Sequence, residues 1–277
     1  LVIQQIIVNP IPVISGFSAS TPSIDGTFDG TSVWGSPYAM GDGNAGWSGT
    51  EAKGLYIARD ANYVYLGAEV AAANWQDWGF AINLAAGGDS SEVWGRNIKY
   101  SHNQLPDIVI KGTFGNYSEF RQWDGSAWQS TTLPTTEFAE DENGFVEVRI
   151  PLSTLTGIDS ANVQFYITGN NADHGTFDAV PQDEVTTAWA GITTRLDNYA
   201  PTYQLNTNFL TDLCEDNGSI TFNASPAGGT WSGTGFTNTT TGEYNPTGMG
   251  GLLDSISYIF TDANGCTTEI SYVVDMV

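Results

Sequence analysis

No window of a dozen residues in this chain carries a helical stripe, and short alternating runs stand in its place. Tyr63-Val64-Tyr65-Leu66-Gly67-Ala68-Glu69-Val70 sets Val64, Leu66, Ala68 and Val70 on one face, with the two tyrosines and Glu69 on the other. That period of two predicts a half-buried strand. Trp78 to Leu84 repeats it, with Trp78, Phe80, Ile82 and Leu84 facing one way, and residues 145–150 and 163–167 supply further strands. Asp124-Gly125 reads as a hairpin turn, with Trp123 and Trp128 packing across it. Only residues 152–155 offer as much as one helical turn. Charged residues make up 14% of the chain, aromatic residues 12%, and Gly numbers 32, a balance typical of secreted proteins that rely on turns and aromatic packing. The fold class is therefore all-β, built as β-sandwiches.

A length of 277 residues accommodates one large and one small domain. Composition divides the chain at the same scale. All eight Lys and Arg residues lie from Lys53 to Arg195, and eight of the nine tryptophans from Trp34 to Trp189; only Trp231 lies beyond. The expected organisation is an N-terminal strand or linker over 1–21, a large sandwich over 22–200, a linker over 201–210 and a small sandwich over 211–277. The apolar opening Leu1 to Val8 lacks a basic region before it and a small-residue cleavage site after it, so it reads as a strand or a boundary and not as an intact signal peptide. The closing Ile270 to Val277 also reads as a strand, which points to a piece of a longer secreted or surface protein.

Charge narrows the function classes. Thirty-one acidic against eight basic residues give a formal net charge of −23, which repels nucleic-acid backbones and anionic lipid. No apolar run approaches the roughly 20 residues of a membrane span. Catalysis finds little support. His102 and His174 occupy no nucleophile-elbow or metal-ligand spacing and read as loop or surface residues. Met40 reads as a turn residue beside Gly41-Asp42-Gly43, so haem is not expected. Glu137, Glu140, Asp141 and Glu142 precede Asn143-Gly144 in what reads as a solvated turn, and Glu69 and Glu147 alternate with core positions on strands.

Tryptophan faces stack on the apolar faces of pyranose rings, while Asp, Asn and Arg take hydroxyl groups through hydrogen bonds. Two segments combine both: Trp75 with Asp77, and Trp94 with Arg96 and Asn97. These five are the candidate ligand-binding residues; rim packing of a sandwich accounts for the same rings equally well. Asp25, Asp29 and Asp42, in glycine-rich turns, are candidate ligands for a structural calcium ion, with self-capped Asx turns as the plain alternative. Cys214 and Cys266 bracket the second unit and are expected to close it as a disulfide; two cysteines without clustered histidines leave a zinc shell half empty.

The segments Ile24-Asp25-Gly26-Thr27-Phe28-Asp29 with Trp34, Leu55-Tyr56-Ile57-Ala58-Arg59-Asp60-Ala61-Asn62-Tyr63-Val64-Tyr65-Leu66, and Gly144-Phe145-Val146-Glu147-Val148-Arg149-Ile150-Pro151 resemble the family 9 carbohydrate-binding-module and DOMON-like sandwiches over about residues 22–170. Cys214, Ser225 to Gly235, Gly242 to Pro246 and Ile256 to Cys266 are similar to the Ig-like repeats of secreted and cell-surface proteins of Bacteroidota exported by the type IX system. The first resemblance implies a polysaccharide partner. Residues 75–100 also look like accessory domains of secreted α-amylase-type enzymes, which makes α-glucan one candidate. The expectation is a non-catalytic glycan-binding module with an Ig-like spacer, from a secreted or cell-surface multidomain protein. The competing expectation is a structural or adhesive subunit of a surface stalk or filament, assembled through sandwich contacts with neighbouring domains or subunits.

Overall fold

The computed structural model describes residues 18–84, 87–102, 105–132, 137–155, 161–201, 206–207, 212–261 and 267–276. They fall into two compact units, 18–201 and 206–276. In chain order the larger unit comprises β1 (Ser18–Ala19), a helical turn α1 (Thr31–Trp34), β2 (Ala39–Met40), β3 (Glu51–Arg59), β4 (Tyr63–Ala71), β5 (Asp77–Asn83), β6 (Ile98–Tyr100), β7 (Ile108–Thr113), β8 (Ser118–Trp123), β9 (Trp128–Thr132), β10 (Phe138–Glu140), β11 (Phe145–Pro151), β12 (Asn162–Thr168), β13 (Thr176–Val180), β14 (Thr194–Leu196) and β15 (Ala200–Pro201).

One sheet runs β1-β3-β4-β11-β10, with β2 also on β3; the other runs β13-β12-β5-β7-β8-β9, with β15 on β12. Their facing sides form the main core. Leu55, Ile57, Val64, Leu66 and Val148 from the first sheet pack with Trp78, Phe80, Ile82, Ile110 and Phe165 from the second. Every one of these is fully buried, and a buried side chain of this size contributes about 1.5–3 kcal/mol over an exposed one. The alternation of β4 and β5 thus does what it predicts on the inner side. The turn chemistry holds as well: Trp123 pairs with Trp128 across the β8–β9 hairpin, with rings 5.6 Å apart. Gly125 there adopts φ 98°, and the Asp124 carboxylate accepts the Ser126 and Ala127 N–H groups.

The expectation of a half-buried β4 needs correction, because its outer face is covered too. Tyr65 is buried, and Trp34, Tyr56, Ala58, Tyr65 and Phe145 form a second apolar layer beneath Ile24, Phe28 and Val33. Tyrosine scores as polar in an alternation, yet its ring is apolar and its hydroxyl needs only one partner; for Tyr65 that partner is Asp60 at 2.6 Å. On the opposite side, the parallel pair β6–β14 lays Ile98, Tyr100 and Leu196 over Ala81, Val109 and Tyr166 of the second sheet.

The smaller unit contains β16 (Asn206–Thr207), β17 (Asp212–Leu213), β18 (Ile220–Thr221), β19 (Ala224–Ser225), β20 (Thr230–Ser232), β21 (Phe236–Asn238), β22 (Glu243–Tyr244), β23 (Leu253–Thr261) and β24 (Thr267–Met276). One sheet runs β17-β24-β23-β20 and another β18-β22-β21. Trp231 of the first packs on Phe236 of the second, with ring centroids 5.5 Å apart. The buried Asp254 accepts the N–H groups of Thr234 and Gly235 and the hydroxyl of Tyr244. Cys214 is exposed, and its expected partner Cys266 lies outside the described residues. So do residues 1–17 of the expected N-terminal strand; Ser18 and Ala19 pair in parallel with Ala58 and Arg59. Within the stretch read as a linker, Pro201, Asn206 and Thr207 belong to strands.

Candidate functional site

At one end of the larger sandwich three tryptophans meet from segments far apart in the chain. Trp47 opens a 3-10 turn over Trp47–Gly49, just before β3. Trp75 sits in the tight turn before β5, which Gln76 closes by donating its N–H to the Ala73 carbonyl (2.9 Å) and accepting the Ala73 N–H on its side chain (2.7 Å). The Gln76 amide then donates to the Thr50 hydroxyl at 2.7 Å, tying the two turns together. Trp189 lies in the strandless stretch between β13 and β14, held by the bonds Thr186 N–H to Thr176 O (2.8 Å) and Gly191 N–H to Asp173 O (2.9 Å). Ring centroids stand 4.7 Å apart for Trp47–Trp189, 5.4 Å for Trp75–Trp189 and 5.6 Å for Trp47–Trp75. Phe177 and His174 complete the cluster from below.

Trp189 is 47% exposed. Beside the cluster opens a cleft of about 230 Å³ whose wall includes Trp47, Ser48, Thr50, Trp75, Gln76 and Asn143. None of its lining side chains carries a charge. Ser48 is the single non-glycine residue with positive φ among the described residues, at 56°. Such backbone strain persists where the surroundings over-determine it, and it concentrates at binding sites.

Of the five candidate ligand residues, Trp75 belongs to this cleft. Asp77 is fully buried; its carboxylate accepts from Arg96 at 2.7 and 2.8 Å and from the Thr113 hydroxyl at 2.6 Å. Asn97 donates its N–H to the His174 carbonyl (2.8 Å) and accepts the Thr193 hydroxyl (2.7 Å). Asn97 thus backs the cluster through His174, on which Arg96 and Asp77 act electrostatically. Trp94 takes another path: its indole N–H bonds Glu119, its ring stacks on Tyr117 at 6.2 Å, and Arg96 and Lys111 lie over it at 5.8 and 5.0 Å. Beneath it, Lys111 and Glu92 form a fully buried ion pair. Burial works to raise the Glu92 carboxyl, but Lys111 and the backbone N–H groups of Arg96 and Trp94 prevail and hold it below its usual range. Burial lowers Lys111 against the pull of Glu92 and Asp77.

The candidate calcium residues do not form one donor set. Asp25 accepts the Thr27 N–H, Asp29 the Ser23 N–H, and Asp42 both the N–H and the side-chain amide of Asn44. Asp25 and Asp29 act electrostatically on Glu147, whereas Asp42 acts on Asp178. Among the described residues no group of three or more His, Cys, Asp or Glu is placed to hold a metal ion. The acidic residues read as a solvated turn also need correction at Glu140, which accepts the Trp78 indole N–H and the Gly115 N–H. Both histidines lie in loops, one of the two readings, but neither is at the surface: His102 stacks on Tyr199 at 3.6 Å, and burial pushes it down to about 4; His174 is fully buried.

Glu147, also fully buried, holds the Asp25 and Gly26 N–H groups on one oxygen at 2.6 Å each. Its other oxygen has no hydrogen-bond partner. Burial, aided by the charges of Asp25 and Asp29, pushes this carboxyl up to about 7 from 4.5; burial likewise moves Asp178 up to about 6 from 3.8. A carboxyl raised on folding holds its proton more tightly in the folded state. Its stability is whole below about pH 4 and is lost as pH rises towards 7. Glu147→Gln is therefore expected to match the parent near pH 4 and exceed it at pH 8 by up to roughly 2 kcal/mol. Urea unfolding across that range checks this, and a variant less stable than the parent at pH 8 refutes it.

Trp47 and Trp189 escaped sequence reading because neither neighbours a regular strand pattern; the run of Gly residues around Trp47 was the available signal. A solved structure of a family 9 carbohydrate-binding module from Caldicellulosiruptor kristjanssonii, in complex with glucose, aligns with 57% of this chain and 78% of its own length, at 20% identity and a TM-score of 0.30. No protein-family model and no curated protein matches the chain. The functional reading therefore rests on the residues themselves.

Proposed function

We propose that the larger unit is a non-catalytic glycan-binding module of a secreted or cell-surface protein, and that Trp47, Trp75 and Trp189 form its platform. The observation that carries this reading is the half-exposed Trp189 ring, held against two further tryptophans beside an uncharged cleft. Leaving such a ring in water is unfavourable unless a partner covers it, and a pyranose offers a matching apolar face. Ser48 and Asn143 bring a hydroxyl and an amide to the cleft wall, groups that bond sugar hydroxyls. α-Glucan is the first glycan to test, followed by laminarin, cellulose, xylan, agarose and alginate.

Affinity gels containing each polysaccharide test the reading. The protein is expected to be retained on at least one, and Trp189→Ala to weaken that retention about tenfold or more, an effect of the size of base stacking on an aromatic ring, about 1–3 kcal/mol. Because Trp189 is half exposed, its loss should leave the melting temperature within a few degrees. Free passage through every gel, or retention that survives Trp189→Ala combined with Trp75→Ala, rejects the platform.

A further inference from the structure

Among the described residues of the larger unit two aromatic rings are exposed, Trp189 at 47% and Tyr117 at 44%. The tryptophan platform accounts for the first only. Tyr117 lies in the turn between β7 and β8, which the Thr113 N–H closes by donating to the Tyr117 carbonyl at 2.9 Å. Sheet register brings this turn to the end where the platform sits. Asp77, the first residue of β5, pairs with Thr113, the last of β7, and the Phe114 N–H donates to the Gln76 carbonyl at 3.0 Å. Tyr117 at the head of β8 therefore stands two strand spacings from the Trp75 turn, about 10 Å. Its ring is fixed there. The hydroxyl donates to Glu119 at 2.9 Å, and the same carboxylate, 3% exposed, accepts the Ser130 hydroxyl at 2.8 Å, the Trp94 indole N–H and Arg121 Nε. Trp94 backs Tyr117 within 26° of parallel. Residues 94–97 join the two exposed rings: Asn97 accepts the Thr193 hydroxyl from the Trp189 segment at 2.7 Å, and the adjoining Arg96 lies over Trp94 at 5.8 Å.

Resting on the glycan-binding reading, we infer that the binding surface continues from the tryptophan platform across β5 and β7 to a second aromatic subsite at Tyr117, and that its ligand is a stretch of several sugar units within a polysaccharide. One unit stacks at Trp189 and another on Tyr117. Between them the Arg96 guanidinium, 14% exposed, carries more N–H donors than Asp77 takes and offers the remainder to hydroxyl groups. The separation exceeds one pyranose ring, so a monosaccharide fills one subsite and a longer chain fills both. Once the first subsite holds a chain, the second meets it at high effective concentration, and affinity rises with chain length. Because the Glu119 carboxylate already fixes Tyr117 and Trp94, little ordering of the protein opposes that gain.

Calorimetric titration tests this, with oligosaccharides from disaccharide to hexasaccharide cut from the polysaccharide whose gel retains the parent. Parent affinity is expected to rise about tenfold or more along the series. Tyr117→Ala is expected to bind the disaccharide as the parent does and the hexasaccharide about tenfold more weakly, an effect of the size of base stacking on an aromatic ring. Since Tyr117 is exposed, its melting temperature should stay within a few degrees of the parent. Tyr117→Phe keeps the ring and is expected to restore most of the gain with length. A parent affinity that stays flat along the series overturns the second subsite, as does a Tyr117→Ala variant that weakens every length equally or none; each leaves the tryptophan platform standing. Failure of the parent on every gel overturns both.

Discussion

Lys111→Ala is expected to lower the unfolding free energy of the larger unit by about 3–5 kcal/mol, the cost of breaking a buried ion pair from one side. Both partners are wholly buried. After the substitution Glu92 keeps the N–H groups of Trp94 (2.8 Å) and Arg96 (3.0 Å) and the Tyr166 hydroxyl (3.1 Å), but no cation neutralises it in a medium where desolvation is severe. Lys111 also lies over the rings of Trp94 and Tyr166 at 5.0 and 5.5 Å, and those contacts go with it. The paired change Lys111→Met with Glu92→Met removes both charges together and is expected to recover most of the loss, because apolar replacement of a buried pair is often neutral or better. Urea unfolding read by tryptophan fluorescence decides, since eight of the nine tryptophans lie between Trp34 and Trp189. A single-variant loss under about 1 kcal/mol would mean that water reaches Glu92.

This pair also marks where sequence reading stops. Lys111 shares the outer face of β7 with Val109 and alternates with the inward Ile108 and Ile110, and an outward position reads as solvated. Here the outer face of the sheet is roofed by residues 87–102, which bring Glu92 back over Lys111. The roof is irregular, with only Ile98–Tyr100 in strand conformation, so it leaves no periodicity to recognise. The inner faces were legible because burial between two sheets imposes a strict alternation on β4 and β5, and Asp124-Gly125 because the tight connection between the paired Trp123 and Trp128 constrains its own residues. The IDG and E-x-x-I-P segments were visible as motifs. Their physical link, one Glu147 oxygen holding the Asp25 and Gly26 N–H groups across more than 120 residues, is a long-range fact that neither segment states alone. Trp75 was legible as part of the site because its polar neighbours adjoin it in sequence. Trp47 and Trp189 reach it from positions 28 residues before and 114 after, and only the closed fold makes them neighbours.

Gly46→Ala is expected to cost about 3 kcal/mol and to remove glycan retention with it. A Cβ at position 46 would stand 1.6 Å from the Phe177 carbonyl oxygen and 2.7 Å from its carbon. Both are backbone atoms of β13, which is held in its sheet by β12, so the clash cannot be relieved by turning a side chain. The loop must lift instead. Gly46 donates its N–H to the Thr50 carbonyl at 2.8 Å, and Thr50 in turn receives the Gln76 amide that ties in the Trp75 turn. Lifting Gly46 therefore pulls Trp47 from Phe177, now 5.2 Å away, and loosens Trp75 at the same time. Ser48, two residues on, holds its strained φ only while this close approach pins the loop. A stability loss without a loss of retention would separate the loop from the platform, and retention would then have to come from Trp75 and Trp189 alone. Intact stability would show that β13 yields at Phe177, contrary to its pairing. The combined loss is the outcome that makes Gly46 the residue by which the sandwich positions its tryptophans.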